Sequence, residues 1–431
     1  MGSSCARSGD PSKLGPSARS DRGMRHDGSR MKEGSGDARE TLPAGRERRS
    51  STAAYYAASA AIGLGSAALG PTLPALTSQT GVSLAQAGLL FTARSLGSLI
   101  GSLVAASPID RGRGHLLLFV SLLAAAGVMA LVPAAPTFVI LALLLFVLGA
   151  AHTALSVGLN TLLVWTYRDR VGPFMNGLHF FYGVGSLFTP ILVAQVLPLP
   201  GGAAWAYWTV ALLTLPLALS FLGLPAPAGP AVQEGASRER SDRLLAGIIV
   251  LFFFLYTGAE VAFGGWIFSW AIGEWGIGEA AAAYLTSAFW GSFTLGRLLS
   301  IPLMIRFRSA TILLASLFGV LVSVGVLWIF GGSSGALWGA TFGVGLSMAC
   351  VFPGTLALAG TRVAMTGRFA SAVFVASSAG GMILPWLIGE LFGSVGPRVM
   401  MPAILIDLVL ALVSFGLLLV RSRQTTHETA S

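Results

Sequence analysis

Apolar runs dominate the chain from residue 53 to residue 420, each cut off from the next by Gly, Pro or charge. A helix needs roughly 20 mostly apolar residues to cross a bilayer. Runs of that length fall near 53–75, 84–107, 114–133, 136–165, 172–197 and 203–223. A second set falls near 244–271, 280–304, 309–330, 335–360, 367–393 and 397–420. They are continuous rather than alternating over about 10 residues, so they are not strands of a transmembrane barrel. The pattern predicts an all-α polytopic membrane protein of about twelve transmembrane helices.

Between the two sets, Pro225 to Arg243 is polar, with Glu234, Arg238, Glu239, Arg240 and Asp242. Residues 224–243 therefore read as a cytoplasmic linker between six-helix bundles at 53–223 and 244–420, related as a parallel repeat. Residues 1–50 are rich in Gly, Ser, Arg and Asp and carry almost no apolar run, which predicts a disordered basic tail. They lack the apolar core of a signal peptide, and translation starting at Met24 or Met31 is an alternative. Residues 421–431 form a short polar tail on the cytoplasmic side.

Loop charges set the orientation. With both termini cytoplasmic, the inner turns carry Arg111 and Arg113, Arg168 and Arg170, Arg306 and Arg308, then Arg362 and Arg368. The outer turns carry Arg398 as their single basic residue. This is the positive-inside pattern. One missed span would invert every later turn, so the alternation also supports an even count. The expected location is the cell's inner (plasma) membrane, as a multi-pass protein.

Composition sharpens the class. Of 431 residues, 54% are hydrophobic and 10% charged, with a mean hydropathy of +0.76. Soluble domains carry about 25% charged residues. The net charge of +9 lies largely in the tail and the short turns, so it reads as topology and not as a nucleic-acid surface. Cys5 and Cys350 form no metal or disulfide framework. No paired His-Glu metal motif, serine elbow or reactive cysteine arrangement points to an enzyme.

One ionisable residue stands inside the run Leu244 to Ala271: Glu260. A charge at that depth costs roughly 2.5–3.5 kcal/mol on insertion scales, so it needs a reason. The functional reading is a coupling carboxyl that binds a proton or helps hold sodium. The structural reading is an ion pair with Arg94 or Arg297. Sodium wants several oxygens, and backbone carbonyls freed near Gly264-Gly265 are candidates.

Four stretches carry a family resemblance. The second run and its turn, GSLIGSLVAASPIDRGRG, resemble the Gly-rich helix and Asp-Arg-x-Gly-Arg turn of the major facilitator superfamily. Ala106 and Arg113 depart from that pattern, where it has Gly. LYTGAEVAFGGWIFSW with AYLTSAFWGSFTLGRLLSIPL, and NGLHFFYGVGSLFTP, are similar to the branch holding sodium-dependent glucose transporter-like proteins, with fucose permeases more distant. The resemblance implies the major facilitator fold, a central cavity lined by the first, fourth, seventh and tenth spans, and gating contacts at Asp110 and Arg111. It implies alternating access by a secondary transporter of a small-molecule substrate, and a bundle of this size can act as a monomer. The expected activity is symport of a sugar or related metabolite with a proton or sodium. The Gly-Pro order typical of drug antiporters is missing at Gly183, Gly185 and Pro190. Proton-coupled efflux stays open as a rival, and a non-transporting scaffold or sensor is the alternative of another class.

Polar faces supply the remaining candidates. His152, Ser156 and Asn160 recur every four residues, as do Tyr256, Glu260 and Gly264. Asn176, His179, Tyr182 and Ser186 follow a helical spacing in the fifth span. Such faces line a wet path or bond helix to helix. Arg94, mid-span, can grip a hydroxylated or anionic solute by forked hydrogen bonds. His152 and His179 can relay protons or act as ordinary hydrogen-bonding residues. Trp266 and Trp290 can stack on a sugar or simply pack. Trp270 reads as an interfacial belt residue. Arg297, toward the cytoplasmic end of its span, reads as a gate residue whose stem snorkels. Asp407 reads as structural. Gly97 and Gly101 would allow the close contacts that rocking makes and breaks.

Overall fold

The structure, a computed structural model, describes residues 45–224, 227, 243–363 and 367–428. The tail up to residue 44, nearly all of the linker and the last three residues lie outside these, and with them Cys5, Arg238 and Arg240.

The helices fall where apolar length puts them. The first span is two pieces, α1 (Gly45–Ser66) and α2 (Leu69–Thr80), bent by 46° at their break. α3 (Leu84–Asp110), α4 (Gly114–Leu131), α5 (Phe138–Tyr167), α6 (Gly172–Val196) and α7 (Ala204–Ser220) complete the first half. The second half holds α8 (Arg243–Trp275), α9 (Glu279–Arg306), α10 (Ser309–Phe330), the pair α11 (Ser334–Met348) and α12 (Val351–Gly360), α13 (Gly367–Ser394) and α14 (Met400–Glu428). α7, with 17 residues, is the shortest single-helix span and only just long enough to cross.

Local chemistry punctuates the series. Gly81 takes φ 68° and closes α2, and Ser83 with Gln86 forms a capping box that starts α3. Two ends overrun the expected limits. α1 starts at Gly45, inside the stretch expected to be tail. Thr52 donates to the Arg48 carbonyl, and the Arg48 guanidinium lies 5.8 Å from the centre of the Tyr167 ring, so packing extends the helix outward. α14 continues past residue 420 to Glu428.

Both interrupted spans carry a proline just beyond the break. Proline has no N–H for the carbonyl four residues back, and its ring crowds that carbonyl. Pro71 leaves Ala67 without its helical donor, and Pro353 does the same to Ala349. α8, by contrast, runs unbroken through Gly264-Gly265. The expectation of carbonyls freed there is therefore corrected: the breaks are in the first and tenth spans.

Packing joins the halves at one end. α3 packs along α13 and α6 along α9, while α2 rests on α8. The close approaches use Gly88 against the Trp386 backbone, Gly389 against Ala85 and Gly183 against Thr294. A Cβ on Gly70 would stand 2.8 Å from the Gly265 carbonyl oxygen. These contacts lie from mid-span toward the face opposite the arginine-rich turns. There one apolar core runs through both halves, taking in Leu69, Leu73, Phe91, Phe263 and Ile388. Toward the arginine-rich face the first half keeps a separate core around Tyr55, Leu118, Leu159 and Phe221. The molecule is thus closed on one face and parted on the other. Gly97 and Gly101 do not serve this seam. A Cβ on them would meet the Phe146 and Ala150 carbonyl oxygens at 1.9 and 2.2 Å, so they fasten α3 to α5 inside the first half.

Candidate functional site

Beneath the closed face lies a cavity of about 180 Å³, lined from both halves by Ser66, Arg94, Tyr182, Glu260, Gly264 and Trp290. At about 30 Å³ per liquid water it has room for roughly six waters, the size class of one small solute. Glu260 keeps intermediate exposure although it stands deep in the bundle, because it borders this space. Among the described residues it forms no ion pair. Arg297 and Tyr256 are the neighbours whose fields reach it.

Neither arginine is a counter-ion in contact with Glu260. The Nη1 of Arg94 donates to the Ser66 carbonyl at 3.0 Å, at the break of the first span. Arg297 lies with its guanidinium carbon 4.5 Å from the Phe293 ring centre and 6.0 Å from that of Tyr182. That second contact links α9 to α6 across the halves, on the side of the cavity toward the arginine-rich face. The cation is held by aromatic faces, a favourable arrangement away from water.

The aromatic candidates separate. Trp290 borders the cavity, its Nε1–H has no partner among the described residues, and Gly264 makes space for its ring. Trp266 is wholly buried, donates to the Pro385 carbonyl at 3.0 Å and packs on Phe91 and Phe392. It clamps α8 to α13 and is not placed to stack on a solute. Tyr256 is also wholly buried, and its hydroxyl donates to the Met348 carbonyl at 2.5 Å, at the break of the tenth span. Trp270 is 1% exposed and so is no belt residue.

The other polar candidates stand apart from the cavity. His152 is buried against Gly65, with Nδ1 unpartnered among the described residues, and Arg94 is the charge that reaches it. Asn160 spends its amide on the Ser156 carbonyl of its own helix at 2.7 Å. His179 is exposed, toward the parted face, with Arg297 in electrostatic reach. Asp110 and Arg111 are exposed and make no ion pair with a described residue, so no gate contact is formed on that face. Asp407 is buried with one oxygen unpartnered among the described residues, on the last span. Arg398 meets Glu274 at 2.9 Å on the closed face.

Ser95, Ser98 and Phe91 of α3 line the cavity and were not among the sequence candidates. Their spacing around Arg94, at 91, 94, 95 and 98, marks one helix face and was the available signal.

The paired bundles thus share one cavity at their seam, lined from both by charged, hydroxyl and aromatic side chains. The chain belongs to the Major Facilitator Superfamily, whose sequence profile matches residues 55–385. It is 30% identical over 378 residues to the Mus musculus protein named sodium-dependent glucose transporter 1A, covering 78% of this chain and 88% of that one. Among solved structures, the nucleoside transporter NupG superposes with a TM-score of 0.67 at 15% identity, over 86% of this chain and 99% of that one. The E. coli fucose:proton symporter FucP superposes at 0.58 and 18% identity, over 86% and 98%. The chain is a multi-pass membrane transporter of small molecules and not an enzyme.

Proposed function

We propose that this protein carries a sugar or a similarly hydroxylated metabolite into the cell by symport with a cation, using Glu260 as the coupling group. The observation that carries the reading is the composition of the seam cavity. It offers a carboxyl with no ion-pair partner among the described residues, an arginine, a phenol and an indole within a space fit for one small solute. Trp290 supplies an apolar ring face for a sugar, and Arg94 and Tyr182 supply donors for hydroxyls. The named relatives, a glucose transporter and a fucose:proton symporter, support the same solute class.

Alternating access follows from the packing. The arginine-rich face is cytoplasmic by the positive-inside pattern, so the state described opens inward. Parting the seam and closing the opposite face exposes the cavity outward, with Asp110 and Arg111 meeting partners there. One positive charge moved down about 100 mV supplies ~2.3 kcal/mol. That is roughly 50-fold accumulation. The protein acts as a monomer in the plasma membrane, with a proton or sodium as the coupling ion.

The test is uptake of labelled hexoses into proteoliposomes, driven separately by a sodium gradient and by a pH gradient. One gradient is expected to drive accumulation. Glu260→Gln is expected to abolish that accumulation while sparing exchange of solute across the membrane without a gradient. If the proton is the coupling ion, uptake rises as the outside is acidified and falls as it is made alkaline. Solute leaving against its gradient as protons enter would instead assign the cavity to efflux, and unchanged accumulation by Glu260→Gln would falsify the role of the carboxyl.

A further inference from the structure

A second cavity, of about 400 Å³, lies between α9, α10 and α11, away from the seam. Leu299, Leu303 and Phe307 form one wall and are 45%, 43% and 51% exposed. On a membrane span such exposure is to lipid, so this groove opens sideways into the bilayer. An empty groove would leave its lining without contacts on one side. Acyl chains are the apolar material at that depth. The rim also carries charge. Phe307 is flanked in the chain by Arg306 and Arg308, both exposed, on the face where the turns are basic. Anionic headgroups collect at such clusters.

The floor of the groove gives it a consequence. Ser347 and Cys350 line it, and Cys350 stands at the break of the tenth span, its sulfur 3.1 Å from the Ser316 hydroxyl. On the other side of that break, the Met348 carbonyl accepts from Tyr256, one helical turn before Glu260. An occupant of the groove therefore bears on an interrupted segment whose far side is tied to the coupling helix.

We propose that this groove binds one acyl chain of an anionic phospholipid, with its phosphate held by Arg306 and Arg308, and that occupancy sets the transport rate through the tenth-span break. The binding site stands by itself; the effect on rate rests on the transport reading above.

Cys350 provides the reporter, since the chain has only one other cysteine, Cys5. The full chain with Cys5→Ser is placed in nanodiscs of phosphatidylcholine, with or without phosphatidylglycerol, and labelled with an apolar maleimide. Mass action gives roughly tenfold protection of Cys350 when the lipid stands at about ten times its dissociation constant. The protection is expected to vanish in Arg306→Gln/Arg308→Gln. Equal labelling rates in the two bilayers overturn the site, and this arm needs no groove variant to fold. Uptake is then measured in liposomes of the same two compositions. Faster or slower uptake with phosphatidylglycerol, lost in the double variant, is the expected result. Protection of Cys350 with identical uptake overturns the link to the break. Absence of all uptake in both bilayers, with protection intact, would strike the transport reading instead.

Discussion

The first and tenth spans are both interrupted, the first with a 46° bend, yet the two breaks live in different surroundings. Each has a proline shortly beyond it and a carbonyl satisfied by a side chain from a neighbouring helix. At the first span the donor is the Arg94 guanidinium, and Ser66, Ala67 and Gly70 border the cavity. At the tenth the donor is the Tyr256 hydroxyl, and Ala349 and Val351 are buried in apolar packing away from the seam cavity. A broken helix exposes backbone polarity. Whether that polarity serves a solute or only a bend depends on what stands opposite it. A charged donor beside water can exchange partners, whereas a neutral donor in a dry core holds one.

The largest effect is expected at the wet break. Arg94→Met removes a charged donor, worth roughly 1.5–3 kcal/mol, and is expected to lower uptake efficiency by about 10- to 150-fold. Initial rates across solute concentrations check it, and a loss under twofold would place the first-span break outside the transport site. Gly70→Val comes next. Its side chain cannot fit against the Gly264-Gly265 carbonyls, and overpacking of about 1–3 kcal/mol disfavours the closed face. Spin-label distances across the seam are expected to lengthen in the population average, and an unchanged distribution would show that the seam tolerates bulk.

The dry break should answer differently. Tyr256→Phe is expected to cost about 1 kcal/mol of stability, read as a lower melting temperature in detergent, with KM for the solute moved far less than by Arg94→Met. A KM change as large as that of Arg94→Met would erase the distinction between the two breaks. The smallest effect is expected from Glu274→Gln. Its partner Arg398 has an 84% exposed side chain, and such pairs contribute ~0.2–1 kcal/mol. Melting temperature and uptake should both stay close to wild type, and a large loss would give the closed face a polar lock.

The spans were legible because a bilayer imposes a length that composition must meet, and that rule needs no knowledge of partners. Glu260 was legible for the same reason, since an acid in a long apolar run stands out by cost. The breaks were not. Pro71 and Pro353 were visible, but the donors that satisfy the carbonyls at the breaks come from 28 and 92 residues away in sequence. Trp266 and Trp290 show the same limit. Both are tryptophans inside apolar helices, and only the packing of α13 against α8 turns one toward a carbonyl and leaves the other beside the cavity. The glycines behaved likewise: Gly97 and Gly70 look alike in the chain, yet one fastens a bundle and the other meets the opposite half.

The seam that shuts one face is made of close glycine approaches, apolar side chains and a few neutral hydrogen bonds, from Gln195 to Tyr284 and from Thr92 and Ser95 to carbonyls of α13, and no ion pair between described residues crosses it there. A latch of that kind is governed by shape. Its opening should therefore be indifferent to ionic strength and responsive to the lateral pressure and thickness of the surrounding lipid, so that the membrane's mechanical state helps set the turnover clock.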